Sequence, residues 1–166
     1  KFNRSTRSKR QPGSAFKPFV WGAAIASKKF TAASHLLDAP ETLRVYQGKF
    51  WQPRNYTRKF KGAISLRDAL ANSVNSIAVH LTEAVGIDAV HQFARNSGLK
   101  SKMGRGLSAA LGSSEVRMVE LVNGYATVAS SGHLKEPRLI RKIKVSNGQT
   151  QTPSQEQLRE SIRPDV

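Results

Sequence analysis

Within residues 15–28, Phe16, Phe19, Val20, Ala23 and Ala24 recur at the i, i+3, i+4, i+7, i+8 spacing of a helix with one buried face. Val20, Trp21 and Ile25 add apolar surface nearly all round, which predicts a central, enclosed helix. Proline is tolerated only at or beside a first turn, so Pro18 places the start near 13–15 and Ser14 at the N-terminus. Residues 30–62, rich in Pro, Gly and aromatics, read as a long folded connection. A second helix is predicted from Ser65, with Asp68 completing a capping box and Leu66, Ala69 and Leu70 facing inward. The next position on that face is Ser73, where Asn72-Ser73-Val74-Asn75-Ser76 breaks the pattern. Helix resumes through Ile77, Ala78 and Leu81 and stops at Gly86. Further helices are expected over 88–98, with Asp88 as N-cap and Leu99 beside a terminal Gly cap, and over 114–131. Residues 139–145 read as a strand with a turn at Ser146-Asn147-Gly148 behind it, and 149–166 as polar loop.

Composition narrows the class. With 166 residues and 39% apolar content the chain is one domain or part of one, and too apolar for a disordered basic tail. It has no cysteine, so a disulfide framework is excluded. No run approaches the roughly 20 apolar residues of a membrane helix. No signal peptide is visible and the chain opens on Lys1, so its natural N-terminus is expected elsewhere. The formal net charge of +16 implies an anionic neighbour: nucleic acid, an acidic membrane surface or an acidic polymer. Lys1, Arg4, Arg7, Lys9 and Arg10 cluster at the start, but only Phe2 interleaves them, which is poor for base stacking. A solvated basic surface is the plain alternative.

Two segments could carry chemistry. In Gln11-Pro12-Gly13-Ser14-Ala15-Phe16-Lys17, serine and lysine three apart share one helix face. A lysine enclosed beside an apolar helix loses its proton more easily than in water and can serve as base toward the hydroxyl. The helix N-terminus adds partial positive charge where an oxyanion would form. The spacing alone is weak evidence, and on the local pattern a plain N-cap role for Ser14 is the better account. The second segment, Ser73-Val74-Asn75, either lines a cavity with its polar groups or simply turns the chain and caps the helix from Ile77. Glu120-Leu121-Val122-Asn123 faintly resembles the segment of serine β-lactamases that carries their deacylating glutamate, but it lies within a predicted helix. His35, His80, His91 and His133 have no metal-ligand spacing and no cysteine or carboxylate cluster beside them, so no metal or cofactor is expected.

Arg10-Gln11-Pro12-Gly13-Ser14-Ala15-Phe16-Lys17-Pro18-Phe19 closely resembles the nucleophile segment of the transpeptidase domain in class A, bifunctional penicillin-binding proteins. Phe2-Asn3-Arg4 resembles its lead-in. Trp51-Gln52-Pro53-Arg54-Asn55-Tyr56, Phe60 with Gly62, and the run from Leu66 through Asn72-Ser73-Val74-Asn75 follow in the family's order, as do Ala110-Leu111-Gly112-Ser113, Glu120-Leu121 and Tyr125-Ala126. The resemblance covers almost the whole chain and fades after Gly148.

This resemblance implies an α+β, serine β-lactamase/transpeptidase-like fold, of which residues 1–166 would be mainly the helical portion with a late strand or hairpin. It implies Ser14 as the acylated nucleophile, Lys17 as its base, Ser73 as proton relay and Asn75 as a substrate-binding residue. The substrates would be peptidoglycan stem peptides, joined through an acyl-enzyme that penicillin and other β-lactams imitate. The expected location is the cell envelope, on the outer face of the cytoplasmic membrane, in a membrane-anchored parent. The family's third motif, Lys-Thr-Gly or Lys-Ser-Gly, is absent. A partial domain is therefore expected, whose remainder could be supplied as a separate chain. Two rivals remain at this stage: a non-catalytic fragment, and a basic nucleic-acid-binding module.

Overall fold

The computed structural model describes residues 2–44, 48–140, 142–152 and 159–166. Helix α1 (Arg4–Arg7) is followed by β1 (Lys9–Arg10) and a 3-10 turn over Gly13–Phe16 that runs into α2 (Lys17–Ala26). Strands β2 (His35–Asp38), β3 (Leu43–Arg44), β4 (Phe50–Trp51) and β5 (Gly62–Ser65) precede α3 (Leu66–Ala71), α4 (Asn75–Val85) and α5 (Ile87–Asn96). A second 3-10 turn (Leu107–Leu111), β6 (Val116–Arg117), α6 (Met118–Ala129), β7 (His133–Leu134), β8 (Ile143–Lys144), β9 (Thr150–Gln151) and β10 (Arg159–Glu160) complete it. The described strands form antiparallel pairs: β1–β6, β2–β5, β3–β4, β7–β10 and β8–β9.

As the apolar pattern required, α2 is the centre. Phe19, Val20 and Ala24 are fully buried, with Trp21 and Ala23 nearly so, and α3, α4 and α5 pack around it. The Trp21 indole N–H, which needs a partner once buried, donates to the Leu66 carbonyl at 2.8 Å. Contact with α5 is close because position 22 has no side chain. A Cβ there would lie 2.3 Å from the Phe93 ring, well inside van der Waals contact.

Several boundaries depart from the sequence reading for identifiable reasons. The α-helix starts at Lys17 rather than near 13–15, since Pro18 has no N–H to donate to the Ser14 carbonyl. That carbonyl accepts from the Lys17 N–H instead, a 3-10 turn. Residues 30–62 are not only connection: Leu36 pairs with Ile64 and Leu37 with Ala63 across β2 and β5. The helix expected over 114–131 begins at Met118, because Val116 and Arg117 pair with Arg10 and Lys9. The late strand reduces to the β8–β9 hairpin; Arg141, within the predicted strand, lies outside the described residues. The 149–166 tail carries β9 and β10, the latter pairing with β7, and residues 153–158 lie outside the described ones. The helix predicted from Ser65 holds: its hydroxyl accepts from the Asp68 N–H and donates to the Asp68 carboxylate.

Candidate active site

Ser14 sits on the 3-10 turn, exposed, one turn before the buried Lys17. In a 3-10 turn residues i and i+3 eclipse, so the two side chains leave the backbone on the same side. The turn is held from behind by the carbonyl of Gly112, which accepts from the Gly13 N–H at 3.2 Å. Gly112 has φ +72°, and a Cβ there would meet the Gly13 oxygen at 2.1 Å. From the side, the Tyr125 hydroxyl donates to the Ala15 carbonyl at 2.8 Å, and its ring meets Phe19 edge-on at 5.8 Å.

Lys17 is 1% exposed. Its ammonium donates to the Ser73 carbonyl at 2.5 Å, the Ser73 hydroxyl at 2.9 Å and the Asn75 Oδ1 at 2.6 Å. Among the described residues no carboxylate pairs with it. Burial disfavours the charged form and lowers its pKa from 10.5 to about 8.

Ser73 owes its position to the end of α3. The Ser73 N–H bonds the Leu70 carbonyl and the Val74 N–H the Ala69 carbonyl, both at 2.9 Å. This is the paired closure of a Schellman motif, with serine where glycine is usual. Ser73 accordingly has φ +54°, a conformation that costs a non-glycine residue roughly 1–2 kcal/mol. Lys17 bridges the strained carbonyl and the hydroxyl of the same residue.

The structure thus brings Lys17, Ser73 and Asn75 into direct contact, and Ser14 lines the same cleft as Ser73 and Asn75. Ser14, Arg54, Lys59, Lys61, Asn72, Ser73 and Asn75 line one open cleft of about 580 Å³. Two further residues escaped the sequence reading. Asp38, 1% exposed, and Asn55, 8% exposed, lie beneath the loop and connect to the Asn75 backbone. Asn55 stood within a family motif without a role, and Asp38 offered only a turn-like Asp-Ala-Pro.

Other candidates have structural duties. Glu120 is buried and accepts from the Ser101 N–H and the Arg117 guanidinium. Burial pushes its carboxyl up, but those hydrogen bonds prevail and hold it below the ordinary value. His80 pairs with Glu41, and His91 is buried against α5's core side with its pKa lowered chiefly by burial. Of the two aromatic residues in the 51–56 segment, Tyr56 lines the cleft and Trp51 does not. No helix among the described residues is long and apolar enough to cross a membrane.

The chain carrying this cleft belongs to the penicillin binding protein transpeptidase domain family, whose model matches residues 2–164. Among its relatives, penicillin-binding protein 1A of Neisseria flavescens is 37% identical over 157 residues, 93% of this chain and 20% of that protein. Penicillin-binding protein 1A of Pseudomonas aeruginosa is 36% identical over 150 residues, 89% of this chain and 18% of that one. The crystal structure of penicillin-binding protein 1A from Haemophilus influenzae superposes with a TM-score of 0.87 at 33% identity, covering 95% of this chain and 24% of that one. Penicillin-binding protein A from M. tuberculosis, solved as an imipenem acyl-enzyme complex, shares the fold at a TM-score of 0.84 and 24% identity, covering 98% and 42%. The chain spans about a fifth of the length of the curated relatives it matches. The α+β transpeptidase-like fold and the family expected from the sequence both hold.

Proposed function

We propose that residues 1–166 are part of a D,D-transpeptidase that crosslinks peptidoglycan stem peptides through a serine acyl-enzyme. The observation that carries this reading is the triple contact of the buried Lys17 with Ser73 and Asn75, two residues that share their cleft with Ser14. Neutral Lys17 takes the Ser14 hydroxyl proton as Oγ attacks the carbonyl carbon of a D-Ala-D-Ala bond. The C–N bond then breaks. The Ser73 hydroxyl, already bonded to the Lys17 nitrogen, passes the proton to the departing D-alanine nitrogen. An amine from a neighbouring stem attacks the ester and releases Ser14. The Asn75 amide holds the substrate's peptide groups, and Arg54, Lys59 and Lys61 on the rim suit a carboxylate-bearing stem.

Penicillin would enter the same steps and remain as a slowly hydrolysed ester on Ser14. A Lys-Thr-Gly or Lys-Ser-Gly strand from beyond residues 1–166 completes the site in this reading, either in one parent chain or as a separate piece. That parent is membrane-anchored and acts on the outer face of the cytoplasmic membrane. The test is intact mass and peptide mapping of the parent protein with and without penicillin. One adduct mapped to Ser14, lost in Ser14→Ala, supports the proposal. An unmodified protein leaves a non-catalytic fold and overturns it.

A further inference from the structure

Asp38 ends β2 with its carboxylate enclosed. Oδ1 accepts from the Asn55 Nδ2 at 2.9 Å and the Ser76 hydroxyl at 2.5 Å; Oδ2 accepts from the same Asn55 Nδ2 at 3.0 Å and the Lys61 N–H at 2.9 Å. Among the described residues no cation pairs with it. A buried carboxylate costs free energy unless its lone pairs are filled, and here neutral donors fill them.

A carboxylate can only accept. It therefore dictates which way the Asn55 amide faces: Nδ2 inward, donating to Asp38 and to the Lys59 carbonyl at 3.1 Å, and Oδ1 outward. The outward oxygen accepts from the Asn75 N–H at 2.8 Å. That N–H is the first of α4, an orphan donor of a helix start, and Val74 provides no side-chain cap. Asn75 in turn donates from Nδ2 to the Arg54 carbonyl at 2.7 Å and offers Oδ1 to Lys17. One chain of donors and acceptors thus runs from a buried carboxylate to Lys17.

We propose that Asp38 is a positioning residue for the acylation site: its charge fixes the Asn55 amide, and Asn55 fixes the Ser73–Asn75 loop against Lys17. The proposal rests on the transpeptidase reading above. In Asp38→Asn the Asn55 amide loses its imposed direction, and its flipped form sets Nδ2 against the Asn75 N–H, donor against donor.

The test uses the whole parent protein and a fluorescent penicillin, measuring the second-order acylation rate together with the melting temperature. Asp38→Asn is expected to slow acylation about 10- to 100-fold, the scale of one charge-assisted hydrogen bond in a buried network. Asn55→Ala removes the relay while leaving the carboxylate with Ser76 and Lys61, and is expected to slow it comparably. The exchanged pair Asp38→Asn with Asn55→Asp restores an acceptor for the Asn75 N–H, though it gives up the donor to the Lys59 carbonyl, and is expected to recover part of the rate. A merely structural role would not produce that recovery. Ser14→Ala separates the two readings: labelling that survives it refutes the transpeptidase assignment itself. With Ser14→Ala silent, Asp38→Asn or Asn55→Ala acylating within about threefold of the wild type overturns the proposal. So does an exchanged pair that regains its melting temperature and not its rate.

Discussion

Lys17 offers a kinetic and a thermodynamic consequence of the same desolvation. A pKa lowered from 10.5 to about 8 raises the free-base fraction at pH 7 by about 300-fold. In the parent protein the second-order rate of acylation by penicillin should climb about tenfold per pH unit below neutrality and level off above roughly pH 8. The stability effect has a definite sign. Below pH 8 both folded and unfolded chains hold the proton, and the cost of burying the ammonium is borne in full. Between pH 8 and 10.5 the unfolded chain binds more protons, so stability rises with pH, by about 3 kcal/mol across the window. Above 10.5 the effect is complete. Other lysines and tyrosines titrate in this range, so the informative quantity is a difference. Denaturant unfolding of Ser14→Ala should show the rise, and Ser14→Ala with Lys17→Met should lack it. In the acylation assay Lys17→Met alone should lose about 10²–10⁴ in rate, the usual contribution of a positioned base. An acylation rate flat from pH 6 to 9, or no difference in pH slope between the two Ser14→Ala backgrounds, would refute the reasoning.

Ser73→Gly should relieve the positive-φ strain and hold or raise stability by up to about 1 kcal/mol, while acylation or D-alanine release falls at least 100-fold for want of the hydroxyl; a drop in both would mean that the Lys17–Ser73 hydroxyl contact outweighs the strain. Gly22→Ala drives a methyl into the Phe93 ring and should lower stability by about 1–3 kcal/mol in a urea titration, with Phe93→Leu restoring part of it; an unchanged midpoint would contradict the close α2–α5 crossing. Glu120→Gln should cost about 1–3 kcal/mol at pH 7, because the native carboxylate contributes stability present above its unfolded pKa and lost as pH falls through the lower folded one. The lifetime of the penicillin ester, followed by mass spectrometry, should not change in that variant; a longer-lived ester would make Glu120 a hydrolytic group after all.

The helices were legible because their punctuation is chemical. The Ser65–Asp68 pair states the start of α3 and Gly86 the end of α4, while Pro18 placed the start of α2 only to within a turn. Strands β2 to β5 were not, since three of the four pairings in β2–β5 join residues more than twenty-five places apart and no alternation marks them. Spacing alone put Ser14 with Lys17, but the lysine's actual partners lie 56 and 58 residues away. The local pattern marked Ser73 and Asn75 as a polar break in a helix, and only the family resemblance joined them to Ser14 and Lys17. Sequence showed that the helix breaks at Ser73 without showing the left-handed geometry, because serine there replaces the glycine that normally signals it. Asp38 was invisible for a different reason: its role exists only once β2 lies beneath Asn55, and nothing in Asp-Ala-Pro announces that placement.

The Tyr125 hydroxyl that steadies the Ala15 carbonyl comes from 110 residues downstream, and the Gly112 carbonyl behind Gly13 from nearly as far. Translation therefore makes Ser14 before the residues that brace it and that, in the proposed reading, activate it. A nascent chain first exposes Ser14 as a plain hydroxyl, which is a weak nucleophile. The lysine's acceptors arrive when residues 73–75 fold, and the turn is braced only after 112 and 125 have emerged. On the proposed mechanism, reactivity is thereby tied to completion of the helical body, and a β-lactam that meets an unfinished chain is expected to leave Ser14 unmodified.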